Sequence, residues 1–221
     1  FHQSVVIMRR KSKDKEKGAA VKAAFEGAPE IAEDEIVYDP DKDVLGKGSF
    51  GVVYKGKARG CKVAIKVPTP DPKGFTDKQL EAFRAEVKVM AKLFHPRIAL
   101  FMGAFISQRS IKIVTELLNG DLEEILLNPK KYPLSLYERM SYAKQAAEGM
   151  AWLHGAGVVH CDFKTSNLLY DKQSNTVKVC DFGLSMLVPK GNVMRESSAK
   201  GTPLYIAPEV IQGEGLDHKA D

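Results

Sequence analysis

A chain of 221 residues, with 44% hydrophobic and 28% charged side chains, has the apolar content of a globular protein and the length for one large core or two smaller lobes. These values exclude the disordered, collagen-like and disulfide-scaffold classes, and Cys61, Cys161 and Cys180 form neither a CxxC pair nor a metal-ligand cluster, as expected of a reducing compartment. The net charge of +5 comes from residues 9–22, where seven Lys and Arg face only Asp14 and Glu16; the remainder is balanced and offers no nucleic-acid face.

Residues 1–37 read as a basic, flexible N-terminal segment, with a helical turn or two expected near Ala19–Phe25. The apolar run Val5-Val6-Ile7-Met8 leads straight into Arg9-Arg10-Lys11. Two readings stay open for it: a solvated basic tail, or the cytoplasmic end of a membrane span preceding residue 1. Cytoplasm, or the cytoplasmic face of a membrane, is the expected location. From about Val44 short β-branched runs appear, at 52–54, 63–67 and 111–114, separated by Gly-rich or Pro-rich turns. Between them Thr76 and Gln79 form a capping-box pattern. Leu80, Phe83, Val87, Met90 and Phe94 then recur at helical spacing, and His95-Pro96 ends the helix.

After Gly120 the pattern becomes helical, first over Leu122–Leu127, then over Leu136–His154 with Ser135 and Glu138 as cap and with Met140, Ala143, Ala147 and Met150 as the expected buried face. Two short strands, 168–170 and 177–180, follow around the turn residues 171–175. A strand-rich first part and a helix-rich second part predict an α+β fold of two lobes with a cleft between them.

Phosphoryl transfer needs a cradle for phosphates, cations to neutralise them and a group that orients the attacking hydroxyl. Gly46-Lys47-Gly48-Ser49-Phe50-Gly51-Val52-Val53 is a GxGxxGxV loop between two strands, whose glycines let backbone N–H groups approach phosphates. Alone it is often just a hairpin; with a strand after it, it suits neither a dinucleotide fold nor a Walker loop. Lys66 lies inside the apolar strand Val63-Ala64-Ile65-Lys66, where a buried ammonium demands a partner, and Glu86 on the next helix is the candidate. Further on, Asp162, Lys164 and Asn167 in His160-Cys161-Asp162-Phe163-Lys164-Thr165-Ser166-Asn167, and Asp181 in Asp181-Phe182-Gly183, offer hard oxygens for Mg2+ and a base for a hydroxyl.

These motifs resemble those of the eukaryotic protein kinase family over residues 46–221. The resemblance implies a two-lobed fold: a small lobe and hinge over residues 38–118 and a partial large lobe over 119–221, ending at the aspartate that opens the family's central helix, Asp221. It also implies that Gly46, Gly48 and Gly51 cover the ATP phosphates, and that Lys66, paired with Glu86, holds them. Asp162 would orient the hydroxyl, Lys164 contact the γ-phosphate, and Asn167 and Asp181 bind Mg2+, or Mn2+ in its place. Adenine would lie between Val53, Ala64 and Leu169, bonded to the backbone of Glu116 and Leu118, with Thr115 guarding the back of the pocket. Met90, Phe101, His160 and Phe182 match the family's stacked hydrophobic spine, and Ala207-Pro208-Glu209 closes the segment that Asp181 opens.

Lys164 and Gly201-Thr202-Pro203 resemble serine/threonine kinases, in which Thr202 would bond Asp162 and Lys164. His95-Pro96-Arg97-Ile98 leading to Leu100-Phe101-Met102-Gly103 resembles the tyrosine-kinase-like group that includes Raf and mixed-lineage kinases, where dual specificity occurs. The expected function is signalling by phosphorylation of protein serines and threonines; the alternative is a pseudokinase or truncated scaffold that binds nucleotide without turnover. One departure stands out. Cys161 replaces the arginine that usually binds a phosphate on the activation segment, so phosphorylation there is expected to be a weak switch.

Overall fold

The structure, a computed structural model, describes residues 28–48, 51–70, 74–189, 191–194 and 201–221; the expected helical turn near 19–25 and the basic run at 5–11 lie outside them. Six strands form an antiparallel sheet: β1 (Ile36–Val37), β2 (Val44–Gly48), β3 (Gly51–Ala58), β4 (Cys61–Val67), β5 (Phe101–Ile106) and β6 (Ile111–Glu116). Their order is β1-β3-β4-β6-β5, with β2 also paired to β3. Arg59 and Gly60 join β3 to β4 with φ of 47° and 80°, the two positive values of a tight hairpin turn whose twist matches that of its strands. Strand alternation buries Val63 and Ile65 completely against Ile31, Ile36, Ala58 and Val114, and therefore turns Ala64 and Lys66 to the opposite face.

Helix α1 (Asp77–Met90) begins at the expected capping box, with the Gln79 N–H donating to the Thr76 hydroxyl at 3.3 Å and the Thr76 N–H to the Gln79 side chain at 2.8 Å. Its apolar stripe buries Leu80, Val87 and Met90. Phe94 does not continue that stripe: the helix stops at Met90, and Phe94 is 78% exposed.

The second part contains β7 (Gly120–Asp121), α2 (Leu122–Leu127), α3 (Leu136–Gly155), β8 (Val158–Val159), β9 (Leu168–Asp171), β10 (Thr176–Val179), β11 (Met186–Leu187) and α4 (Pro208–Ile211). Asp121 caps α2, and Ser135 with Glu138 caps α3 as the spacing predicts. The buried face of α3 is rotated from the expected one. Tyr142, Ala146, Gly149, Met150 and Leu153 face inward, whereas Met140, Ala143 and Ala147 are exposed. The packed side is tightest at Gly149, where a Cβ would come within 2.8 Å of the Arg97 carbonyl and 3.0 Å of Val179. A continuous core including Met90, Phe101, Ile113, Leu122, Met150, Leu153, Val177 and Phe182 runs through both parts, giving the two-lobed α+β arrangement.

Candidate active site

Lys66 faces the cleft because β4 alternates, and its ladder partners are Val53 on β3 and Ile113 on β6. Its ammonium lies 3.0 Å from Glu86 Oε1 on α1 and 2.8 Å from Asp181 Oδ1, just beyond β10. Burial opposes the charge on Lys66, but the two carboxylates outweigh it and hold the ammonium above its ordinary value. Burial pushes the Glu86 carboxyl up, and Lys66 draws it back only in part. Asp181, with a side chain 39% exposed toward the cleft, has its carboxyl lowered because Lys66 and the Gly183 N–H outweigh desolvation. The sequence suggested one partner for Lys66; the fold supplies two.

Asp162 follows β8 in a loop fixed from behind. The Asp221 carboxylate, 2% exposed, accepts the backbone N–H of His160 at 2.7 Å and of Cys161 at 2.8 Å, and His154 Nε2 lies 3.0 Å from it. His160 Nε2 lies 2.9 Å from the Cys180 carbonyl while the Asp162 N–H donates to Nδ1 at 3.2 Å, which together require the Nε2–H tautomer. These bonds hold Cys161 at φ 67° and aim Asp162 forward.

Asp162 Oδ1 accepts from the Thr202 N–H at 2.9 Å and the Thr202 hydroxyl at 2.7 Å. Its Oδ2 accepts from Asn167 Nδ2 at 3.0 Å and pairs with Lys164 Nζ at 3.0 Å. Lys164 also donates to the Thr202 hydroxyl at 2.6 Å. Desolvation favours the neutral Asp162, but Thr202, Lys164 and Asn167 outweigh it and set the carboxyl below its usual range. Gly201 permits this approach: its φ is +113°, and a Cβ there would lie 2.5 Å from the Cys161 carbonyl.

The two charge clusters are tied together by the Cys180 N–H, which donates to the Asn167 carbonyl at 3.0 Å immediately before Asp181. Behind them Met90, Phe101, His160 and Phe182 are all buried, with the His160 and Phe182 rings 5.4 Å apart. On the cleft face the register sets Ala64 opposite Thr115, so Val53, Ala64, Lys66 and Thr115 share one side of the sheet. Glu116 ends β6, Leu118 lies half-buried in the connection to β7, and Leu169 is paired with Asp121 across β7 and β9. Gly46 and Gly48 on β2 have nothing within 4 Å of a Cβ built on them, an open backbone suited to phosphate; Gly51 starts β3, and residues 49–50 between them lie outside the described residues.

Among the described residues no group of three or more His, Cys, Asp and Glu is placed to hold a metal ion. Asn167 and Asp181 fit a different kind of site. Both bonds from the Asn167 side-chain nitrogen go to Asp162, which leaves the side-chain oxygen Oδ1 to ligate a metal, and with the Asp181 carboxylate it offers the few hard oxygens that suit a Mg2+ ion retaining its waters. Cys161 packs with Val159, Val188, Leu216, Met186, Met194 and Val210 in an apolar cluster. Burial pushes the Cys180 thiol up, and no disulfide forms among the described residues.

Sequence reasoning missed three contributors. Asp221 as the anchor of the 160–161 backbone and Asp181 as second partner of Lys66 had no local signal, because each acts across more than sixty residues or more than a hundred. Lys178, whose ammonium lies 2.7 and 2.8 Å from the two carboxylate oxygens of Glu116, was legible only as one polar residue in an alternating strand.

A family model described as a protein kinase domain matches residues 40–221. A dual specificity protein kinase, shkA, of Dictyostelium discoideum is 49% identical over 200 residues, covering 88% of this chain and 36% of that protein. The dual specificity protein kinase shkD of the same organism is 48% identical over 197 residues, 88% of this chain and 26% of its own length. The serine/threonine-protein kinase CTR1 of Arabidopsis thaliana is 40% identical over 184 residues, 81% of this chain and 22% of its own. The chain thus spans between about a fifth and two fifths of these relatives.

Proposed function

The chain belongs to the protein kinase family, and we propose that it transfers the γ-phosphate of ATP to serine and threonine hydroxyls of protein substrates in signalling. The observation that carries this reading is the Asp162 carboxylate, bonded at once to Thr202, Lys164 and Asn167 at the mouth of the cleft that holds Lys66. In this proposal residues 38–118 are the small lobe and hinge and residues 119–221 belong to the large lobe; of the N-terminal segment 1–37, expected to be flexible, the described residues 28–37 instead join the small lobe, with Ile31 and Ile36 in its core and β1 paired to β3. Gly46, Gly48 and Gly51 present backbone N–H groups to the phosphates, and Lys66, kept charged and aimed by Glu86, binds them. Val53, Ala64, Thr115 and Leu169 line the purine, and the backbones of Glu116 and Leu118 bond it.

Asp162, ionised because its partners lower its carboxyl, accepts the bond of the substrate hydroxyl and aligns it. Lys164 balances negative charge as the phosphoryl group moves, and Asn167 and Asp181 are the metal-binding oxygens. Mg2+, when bound there, supplies charge neutralisation on the phosphates. The alternative of a nucleotide-binding scaffold is not favoured, since the lysine, the glutamate, both aspartates and the asparagine are in place and the relatives are named as kinases. Among the described residues no helix is long and apolar enough to cross a membrane. Attachment through a span before residue 1 remains part of the proposal for the basic segment.

The test is transfer of labelled γ-phosphate from Mg·ATP to a basic protein substrate, followed by phosphoamino-acid analysis, for the protein and for Asp162→Asn. Phosphoserine and phosphothreonine that fall by about a thousand-fold or more in the variant are expected, the scale of a lost catalytic base together with its charge. Equal signal from both proteins would sink the proposal. Phosphotyrosine in addition is the second reading, favoured by the dual specificity named for the Dictyostelium relatives.

A further inference from the structure

Three chain segments meet behind the purine side of the cleft. The connection 95–100 between α1 and β5 runs along β10: the Val179 N–H donates to the Arg97 carbonyl at 2.8 Å and the Ala99 N–H to the Val179 carbonyl at 2.9 Å. One residue on, Leu100 meets the end of β6. The Leu100 N–H donates to Glu116 Oε1 at 2.7 Å, and the Glu116 N–H returns a bond to the Leu100 carbonyl at 3.0 Å. Lys178, the neighbour of Val179 on β10, closes the ring by reaching both oxygens of the same Glu116 carboxylate, at 2.7 and 2.8 Å. Both side chains are about four-fifths buried, with exposures of 20% and 22%.

A carboxylate held by a two-oxygen ammonium contact and a backbone N–H is a charge-assisted arrangement well protected from solvent. It fixes the backbone of residue 116, which belongs to the segment that contacts the purine, relative to β10, which ends two residues before Asp181. Without the ammonium the carboxylate keeps only the Leu100 N–H in a largely desolvated place and turns toward water, carrying the 116–118 connection with it.

We propose that Lys178 is a positioning residue for nucleotide: through Glu116 it pre-sets the connection that receives the purine, and so governs affinity for ATP and not the rate of transfer. This rests on the kinase reading above. Among the described residues the ion-pair partner of Lys178 is Glu116, and its ladder neighbour on β9 is Leu169, on the purine side of the cleft and away from Asp162. Pre-organisation of a binding segment appears in affinity, because a loosened segment must be re-ordered each time ligand binds.

The experiment compares the protein with Lys178→Met, which keeps the length of the side chain and removes the charge, and with Lys178→Arg, which restores a charged donor. Hydrogen exchange of the Leu100 amide in ATP-free protein is read first. It should quicken in Lys178→Met, because that amide donates to the carboxylate Lys178 holds, and return toward the original rate in Lys178→Arg. Steady-state kinetics with Mg·ATP should then show KM for ATP raised roughly three- to ten-fold in Lys178→Met, with kcat within about two-fold. Unchanged exchange, unchanged KM, a fall in kcat with KM constant, or an Arg variant as impaired as the Met variant would each overturn the proposal. Should Lys178→Met not fold, Lys178→Gln takes its place with the same expected and overturning results. A parent protein that transfers no phosphate would count against the kinase reading instead, and the exchange data would still decide the role of Lys178.

Discussion

Thr202→Val removes one hydroxyl and keeps the shape of the side chain. In the structure that hydroxyl donates to Asp162 Oδ1 at 2.7 Å and accepts from Lys164 Nζ at 2.6 Å, so it holds the base and the adjacent cation in register. The variant keeps the Thr202 backbone N–H on Oδ1 at 2.9 Å, and Asn167 and Lys164 on Oδ2 at 3.0 Å each. Two charge-assisted hydrogen bonds are therefore lost, one to the carboxylate and one from the ammonium; the bond to Asp162 alone, worth about 2 kcal/mol, corresponds to a roughly 30-fold fall in kcat. KM for ATP should change by less than about two-fold, since no contact of Lys66 or the purine face is altered. Thr202→Ser, which retains the hydroxyl, should lie within a few-fold of the parent. The pH profile supplies the sign. Asp162 is held below its ordinary value, burial opposing and the Thr202 bond leading the partners that lower it, so the ionised form persists until pH falls through that depressed value. Losing the hydroxyl lets the carboxyl rise, and the acid limb of kcat should move to higher pH. A valine variant with unchanged kcat and an unmoved acid limb on serine and threonine substrates would refute the reasoning.

Gly201→Ala places a Cβ 2.5 Å from the Cys161 carbonyl at φ +113°, and should lower the melting temperature and weaken the Thr202 to Asp162 contact, with kcat falling more than KM. Thr76→Ala removes the hydroxyl that caps α1 and should cost about 1 kcal/mol of stability, read as a lower denaturation midpoint in urea without a change in slope. Phosphatase treatment should leave most of the activity, because Cys161 sits among Met186, Met194, Val188 and Leu216 where an arginine would bind phosphate; loss of turnover with the catalytic residues intact would contradict this.

Much of the site was legible before any fold was known. The Gly46 loop, Lys66 in an apolar strand, Glu86 on the next helix, and Asp162, Asn167 and Asp181 at fixed spacing each carry a local chemical signature, as do the capping boxes at Thr76 and Ser135. Such features depend on neighbours a few residues away, and backbone geometry settles them wherever the chain goes.

Tertiary packing decided the rest. Met140, Ala143 and Ala147 have apolar spacing, yet α3 packs through Tyr142, Ala146, Gly149 and Leu153, with Gly149 seated closely on Arg97 and Val179. Phe94 fitted the stripe of α1, but the helix ended before reaching it. The pairing of Lys66 with Asp181, the anchoring of residues 160–161 by Asp221, and the closure of Lys178 on Glu116 join segments separated by 115, 61 and 62 positions. Sequence determines which side chains carry charge and which strand or helix presents them. Which charges meet depends on long-range packing, since an ammonium and a carboxylate gain strength only when the fold removes water from between them.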